Sequence, residues 1–290
     1  MDFLQAKWRL IQSPPQKGAW NMAIDEAILD SVIAGVSPAT LRLYAWEPAC
    51  LSLGYAQPIA DVDREALEQR GLDLVRRPTG GRAILHGDEL TYSVIGTEKD
   101  SRLAGGVLES YCNLSLALLE ALHLLGIPAQ ALEKPPSQST STENLAVESS
   151  TAHKMANQNP VCFEVPSNYE ITSGGKKLVG SAQARRKEGV LQHGTLLLYG
   201  DLTRIIQVLK FRDEAVRGRA ASRLLERATT AEGAAGRIIT WDEAAKAYIQ
   251  AFGEVLNLEL EPGVLTRAEQ SRASELVVEK YANPDWTERV

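Results

Sequence analysis

Apolar positions recur along the chain with two periods, and the switches between them outline its elements. AWNMAIDEAILDSVIAG sets Ile24, Ala27, Ile28 and Val32 at helical spacing, and Gly35 suits the stop. TLRLYAW and CLSLGYA then alternate with period two on either side of Glu47-Pro48, which predicts a hairpin-like pair of strands. A short helix is expected around Val62 to Arg70, followed by a brief strand through Leu72 to Val75. LTYSVIG predicts a further strand, because Leu90, Tyr92 and Val94 alternate with polar or small residues. The longest predicted helix is GVLESYCNLSLALLEALHLLG. Leu108, Tyr111, Leu114, Leu118, Leu122 and Leu125 make its apolar face, and Gly126 with Pro128 ends it.

The pattern then lapses. From Lys134 to Pro160 the chain is rich in Ser, Thr, Pro and Asn and poor in large apolar residues, so it is expected to be a mobile loop (134–160). A loop of that length is either an active-site cover or a tolerated insertion. Alternation resumes in VCFEVPSNYEITSGGKKLVGSAQARRKEGVLQHGTLLLYGD, which predicts three strands carrying Cys162, Lys177 and His193, with Ser173-Gly174-Gly175 as a tight turn. The rest reads as helical, with capping boxes at Thr240/Glu243 and Thr266/Glu269. Strands and helices do not alternate as βαβ units. The expected fold class is therefore α+β, a mixed and largely antiparallel sheet flanked by helices with a short helical C-terminal tail. The expected division is a main domain over 1–238 and a helical extension over 239–290 packed on it.

Length and charge narrow the class. The 290 residues are enough for a sizeable core, and a net charge of −6 disfavours nucleic acid as a partner or loose adhesion to an anionic membrane. No run approaches the ~18 apolar residues of a membrane span, and the N-terminus has no signal-peptide pattern. Three cysteines, Cys50, Cys112 and Cys162, show no CxxC or zinc-type spacing with the four histidines. That set predicts reduced thiols in a cytoplasmic protein and no metal site.

The densest chemistry lies in VRRPTGGRAILHGDELTYSVIG. Gly80-Gly81 allows a tight turn and close approach of the backbone to a ligand, and Arg76, Arg77 and Arg82 surround it with forked donors. Such a turn suits a phosphate or carboxylate-like head, although it matches neither GxGxxG nor a Walker loop; a purely structural turn is the alternative. His86 is either a proton shuttle or a turn cap. Asp88 and Glu89 are adjacent, so on a strand they face opposite ways and cannot act as a carboxylate pair. Lys176 and Lys177 likewise point to opposite faces, and one of them is expected to face a cleft. Its roles would be polarising an acyl carbonyl or touching a phosphate, against an edge-strand lysine that discourages aggregation. His193 occupies a tight spot between Gln192 and Gly194. Cys50, Cys112 and His123 carry ordinary structural readings, as does a lone Cys162 considered by itself.

Taken in order, NMAIDEAIL, LSLGYAQ, RRPTGGRAILHGDELTYS, GKKLVGSAQARR and LQHGTLLL resemble the lipoate/biotin protein ligase superfamily, over most of the chain from Trp8 to about Trp286. Within it, NPVCFEVPSNYE resembles the ligase-like, Bacillus-type octanoyltransferases, which have a cysteine nucleophile just before this strand. The resemblance implies the biotin/lipoate ligase catalytic-domain fold. It implies Cys162 as nucleophile and Lys177 as the lysine that holds the acyl carbonyl. It implies Arg76, Arg77, Thr79, Gly80, Gly81, His86, Gly180, Ser181, Ala182, His193 and Gly194 as substrate-binding residues. The loop over 134–160 is longer and more polar than that family leads one to expect.

The implied reaction moves octanoyl from octanoyl-acyl carrier protein to a lysine of a lipoyl domain or of the glycine-cleavage H protein, with no cofactor required. Two alternatives share the motifs. An ATP-dependent lipoate–protein ligase would need ATP and Mg and leave Cys162 idle. An amidotransferase would take octanoyl from H protein. A binder without catalysis is a third, which the pairing of Cys162 with Lys177 disfavours.

Overall fold

The computed structural model describes residues 3–132 and 170–290. The expected loop over 134–160 and Cys162 with its strand lie outside the described residues. Eleven strands are described: β1 Ala6–Gln12, β2 Thr40–Tyr44, β3 Cys50–Leu53, β4 Asp73–Arg76, β5 Ile84–His86, β6 Glu89–Thr97, β7 Gln130–Leu132, β8 Glu170–Ser173, β9 Lys176–Arg186, β10 Gly189–Leu197 and β11 Leu258–Pro262. The α-helices are α1 Gly18–Ile33, α2 Arg64–Gln69, α3 Val107–Leu124, α4 Glu214–Arg227, α5 Ala231–Ala235, α6 Trp241–Val255, α7 Arg267–Leu276 and α8 Pro284–Thr287. None of the described helices is long and apolar enough to cross a membrane.

The strands form an eight-stranded sheet in the order β11-β1-β2-β6-β10-β9-β8-β7 and a three-stranded sheet in the order β4-β3-β5. Every pairing from β2 through β6, β10, β9 and β8 to β7 is antiparallel. The parallel pairings are β11 to β1, β1 to β2 and β3 to β4. The fold is thus the expected α+β class.

Period-two alternation sorts the large sheet's side chains into two cores. Leu41, Leu43, Leu90, Tyr92, Val94 and Leu196 face α3 and α6, meeting Leu118, Tyr248 and Phe252. Ile11, Tyr44, Ile95 and Leu191 face the other way, onto Met22 and Ile28 of α1 and Ala273 and Leu276 of α7. The small sheet packs with α2, α4 and the 3₁₀ turn Leu202–Val208 around Leu51, Leu53, Val62, Ile205 and Leu224. That second layer creates the gap where the site lies.

Three sequence expectations change. β2 and β3 are not a hairpin: β2 pairs with β1 and β6, whereas β3 pairs with β4 and β5 in the other sheet. Alternation identifies a strand but not its partner, and both strands are buried along their whole length, which requires neighbours from far along the chain. The face of α3 begins a turn late, since Leu108 is 48% exposed while Leu114, Leu118 and Leu122 are buried. The tail is not all helical. LELEP of β11 joins the edge of the large sheet, with Leu258 opposite Ala6 and Leu260 opposite Trp8. Both predicted capping boxes form, at Thr240/Glu243 and Thr266/Glu269.

Candidate active site

Between the α1 face of the large sheet and the small sheet is a cavity with about 440 Å³ of space outside protein atoms, part of it open to solvent. One wall comes from α1 and β2 and the residues after it, through Met22, Tyr44 and Trp46. A second comes from the small sheet, through Ser52, Ile84 and His86. The floor is the large sheet, with Thr91, Gly180, Ser181, Ala182, His193, Gly194 and Thr195. The Arg77–Gly81 turn closes one side. Nine of the residues expected to bind substrate therefore meet around one space: Arg77, Gly80, Gly81, His86, Gly180, Ser181, Ala182, His193 and Gly194. Thr79 stands just behind them, buried, with its hydroxyl 2.7 Å from Nε2 of His193.

The glycines are required by close approach. A Cβ on Gly194 would lie 2.5 Å from Ser181 Oγ and 2.8 Å from the Gly180 carbonyl oxygen. A Cβ on Gly54, in the LSLGYAQ motif, would lie 1.9 Å from the carbonyl oxygen of Gly81, which itself has φ +96°.

Arg76 and Arg77 do not share one anion cradle. Arg77 turns inward and donates to the carbonyls of Gly80 and Arg82, both at 2.8 Å, and to the Ser52 carbonyl and hydroxyl. It holds the glycine turn from inside. Arg76 is buried on the far side of β4, where it donates to the carbonyls of Gly54, Gln57 and Thr287. The corrected placement has a plain cause: successive strand residues face opposite ways, so Arg76 and Arg77 cannot share a ligand. The same rule separates Asp88, on an exposed ion pair with Arg204, from buried Glu89.

Two histidines line the cavity; among the described residues His86 is hydrogen-bonded at both ring nitrogens and His193 at Nε2. His86 Nδ1 lies 2.6 Å from Glu89 Oε1, its Nε2 lies 2.7 Å from Ser52 Oγ, and its ring stacks on Trp46 at 4.0 Å. Glu89 Oε1 also accepts from the hydroxyls of Thr91 and Thr195. His193 points its Nε2 to Thr79 and its Nδ1 towards Asp25, 3.6 Å away. Burial pushes the His193 pKa below 6.5 in spite of Asp25, so the ring is neutral at pH 7.

Asp25 heads a group that sequence reasoning missed. Burial opposes its charge, but the Arg42 guanidinium 2.7 Å away and neighbouring donors hold its pKa below the usual carboxylate range. Tyr44 and Ser93 also donate to it, each at 3.0 Å, and Arg42 reaches Asn21 Oδ1 at 2.7 Å. The signal was present in NMAIDEAIL: Asn21 and Asp25 lie four residues apart, one turn of the helix, in a segment whose only other charge is Glu26. Arg42, in the middle of an apolar strand, was the matching sign.

Lys177 is buried, with Nζ 2.9 Å from Glu170 Oε1; among the described residues neither it nor Arg76 nor Thr79 lines the cavity. Its orientation comes from a bulge. Val179 is paired with Ile171 but Lys177 with Thr172, so the register shifts by one residue there. Without the bulge Lys177 would share a face with Val179. With it, Lys177 shares the cavity face with Gly180 and Ala182. Lys176 points the other way, to the Leu225 carbonyl. Cys50 is fully buried, which pushes its thiol pKa well up, so it stays protonated as a core residue.

Residues 17–253 match the lipoyl protein ligase A/B catalytic domain. The chain is 41% identical over 283 residues to the octanoyltransferase LipM of Kyrpidia tusciae, covering 97% of this chain and 98% of that one. It is 39% identical over 284 residues to the octanoyltransferase LipM of Brevibacillus brevis, covering 98% and 99%. Among solved structures, a bi-partite lipoate protein ligase of Thermoplasma acidophilum superposes with a TM-score of 0.76 at 25% identity, covering 98% of this chain and 96% of that one. A lipoate-protein ligase A bound with ATP superposes with a TM-score of 0.73 at 25% identity, covering 98% and 99%. The chain belongs to the lipoyl protein ligase A/B catalytic-domain family and is an acyl-transferring enzyme.

Proposed function

We propose that this protein transfers an octanoyl group from octanoyl-acyl carrier protein to a lysine of a lipoyl domain or H protein, through a thioester on Cys162. The observation that carries this reading is the cavity itself. Its open surface is mostly apolar side chain and glycine, because His86, His193, Thr91 and Thr195 turn their polar atoms to partners within the wall, and Arg77 donates to the carbonyls of the glycine turn. Such a space suits an alkyl chain, each buried methylene of which contributes about 0.8 kcal/mol. The naming of full-length relatives at about 40% identity as octanoyltransferases supports the same acyl group.

In the first step the Cys162 thiolate attacks the thioester carbonyl, the carrier thiolate leaves, and it takes up a proton. In the second the neutral ε-amine of the acceptor attacks the acyl-cysteine, an amide forms, and Cys162 leaves as thiolate while the amine loses a proton. Lys177 would stabilise the oxyanion in both steps and favour the thiolate between them. No cofactor enters either step.

Cys162→Ala is expected to abolish octanoyl transfer while leaving the thermal melting temperature unchanged. Retention of normal turnover would overturn the reading. The likeness to lipoate ligases supports one rival, an ATP-dependent ligase, in which Cys162 is idle. Lipoate-dependent pyrophosphate exchange would favour that rival. An amidotransferase using octanoylated H protein differs only in donor, and competition between the two donors separates it.

A further inference from the structure

A groove with about 1220 Å³ of space outside protein atoms, part of it open to solvent, adjoins the acyl cavity. Its walls come from the ends of β1, β2, β6 and β10 and from the start of α6. Trp46 lines both spaces. Glu89 links them: it lines the groove, while its Oε1 accepts from the hydroxyls of Thr91 and Thr195, which line the acyl cavity.

The groove carries charge of one sign. Glu47, Asp88 and Glu89 line it, and among the described residues no lysine, arginine or histidine does. Asp88 is matched by its ion pair with Arg204. Two buried polar atoms of groove residues have no hydrogen-bond partner among the described residues: Oε2 of Glu89, an acceptor, and Nε1 of Trp241, a donor. Glu89 as a whole is 2% exposed. A buried polar atom left unmet is costly, so each calls for a partner. Trp46, Trp241 and Tyr199 also give the groove three aromatic side chains.

We infer that this groove receives the acceptor protein's lysine together with the peptide that bears it. The inference rests on the transfer reading above, in which that lysine must reach an acyl group held in the adjoining cavity. A lysine residue supplies both missing partners: its ammonium donates to Glu89 Oε2, and a backbone carbonyl accepts from Trp241 Nε1. Its methylenes lie against the aromatic side chains, which also attract its charge. The exposed Glu47 draws the cation in. The other cavity that Glu89 lines is a poorer host, because Arg204 lines it too. The amine is thereby brought to the partition of Trp46 and Glu89, beyond which lies the acyl cavity.

The test takes an unmodified lipoyl domain as acceptor. In transfer from octanoyl-acyl carrier protein, Glu47→Lys is expected to raise the acceptor's KM about fivefold, and Glu47→Asp to keep it near the wild-type value. Acyl-enzyme formation, which involves no acceptor, should stay within about twofold in both. Binding of the fluorescently labelled domain, followed by anisotropy, isolates Glu89. Acetylating the domain's acceptor lysine should weaken binding to the wild type about tenfold and binding to Glu89→Gln by less than about twofold. An unchanged acceptor KM in Glu47→Lys would overturn the inference. So would an equal slowing of acyl-enzyme formation, no effect of acetylation on the wild type, or equal weakening by acetylation in wild type and Glu89→Gln. If the wild type forms no acyl-enzyme, the transfer reading fails, and the anisotropy still decides the docking by the same comparison.

Discussion

His193 shows how one buried residue ties the site to stability. Its pKa is lowered by burial, so between its folded value and 6.5 the unfolded chain binds more protons than the native one. Stability therefore rises with pH across that window and falls as the pH drops below about 6.5. Asp25, also lowered, adds a loss of the same sign at more acidic pH, as the pH falls below 3.8 through its folded value. Thermal melting followed from pH 7 to pH 5 should show His193→Gln with a flatter profile than the wild type; parallel profiles would contradict this. Gly194→Ala makes a second case. Its methyl has no space between Ser181 Oγ and the Gly180 carbonyl, so we expect destabilisation of about 1–3 kcal/mol in denaturant titrations. A neutral result would mean that the β9–β10 floor is looser than its geometry.

At the level of elements, the two capping boxes make a controlled comparison. Thr240 and Glu243 lie at the exposed start of α6, and Thr240→Ala should cost about 1 kcal/mol. Glu269 of α7 caps in the same way but is buried, and it holds Arg9 by two hydrogen bonds at 2.6 and 2.9 Å. Glu269→Ala leaves a buried guanidinium without its partner and should cost about 3–5 kcal/mol. Equal losses in chemical denaturation would refute the distinction. Much of this was legible beforehand: the helices, the caps and most strands follow from local period and cap chemistry, as Thr240 and Thr266 illustrate. The pairing of strands was not, because β2 and β3 alternate alike yet belong to different sheets, and nothing local in LELEP announces β1 as its partner. At the site, the glycine and histidine motifs come together around one cavity, whereas Asp25 and Arg42 form a pair between a helix and a strand far apart in sequence, which nothing local in either segment announces. The aim of Lys177 depends on a bulge that simple alternation cannot foresee.

Across the molecule, the last fifty residues are part of the cores that build the site. α6 packs Tyr248 and Phe252 against Tyr92, β11 extends the large sheet, and α7 covers α1. Glu26 of α1 accepts from Lys280 and Tyr281, and the Trp286 indole donates to the carbonyl of Arg76. A chain ending at residue 238 is therefore expected to lose cooperative folding, which circular dichroism melting would register. The proposed reaction differs from its rival in chemistry: an acyl-cysteine forms without ATP, whereas a ligase needs ATP. Intact-mass measurement after mixing the protein with octanoyl-acyl carrier protein, without ATP, addresses this difference most directly. The expected result is a gain of one octanoyl group, mapped by proteolysis to Cys162 and released on adding an acceptor domain. No gain without ATP, with modification of the acceptor only when lipoate or octanoate and ATP are supplied, would contradict it.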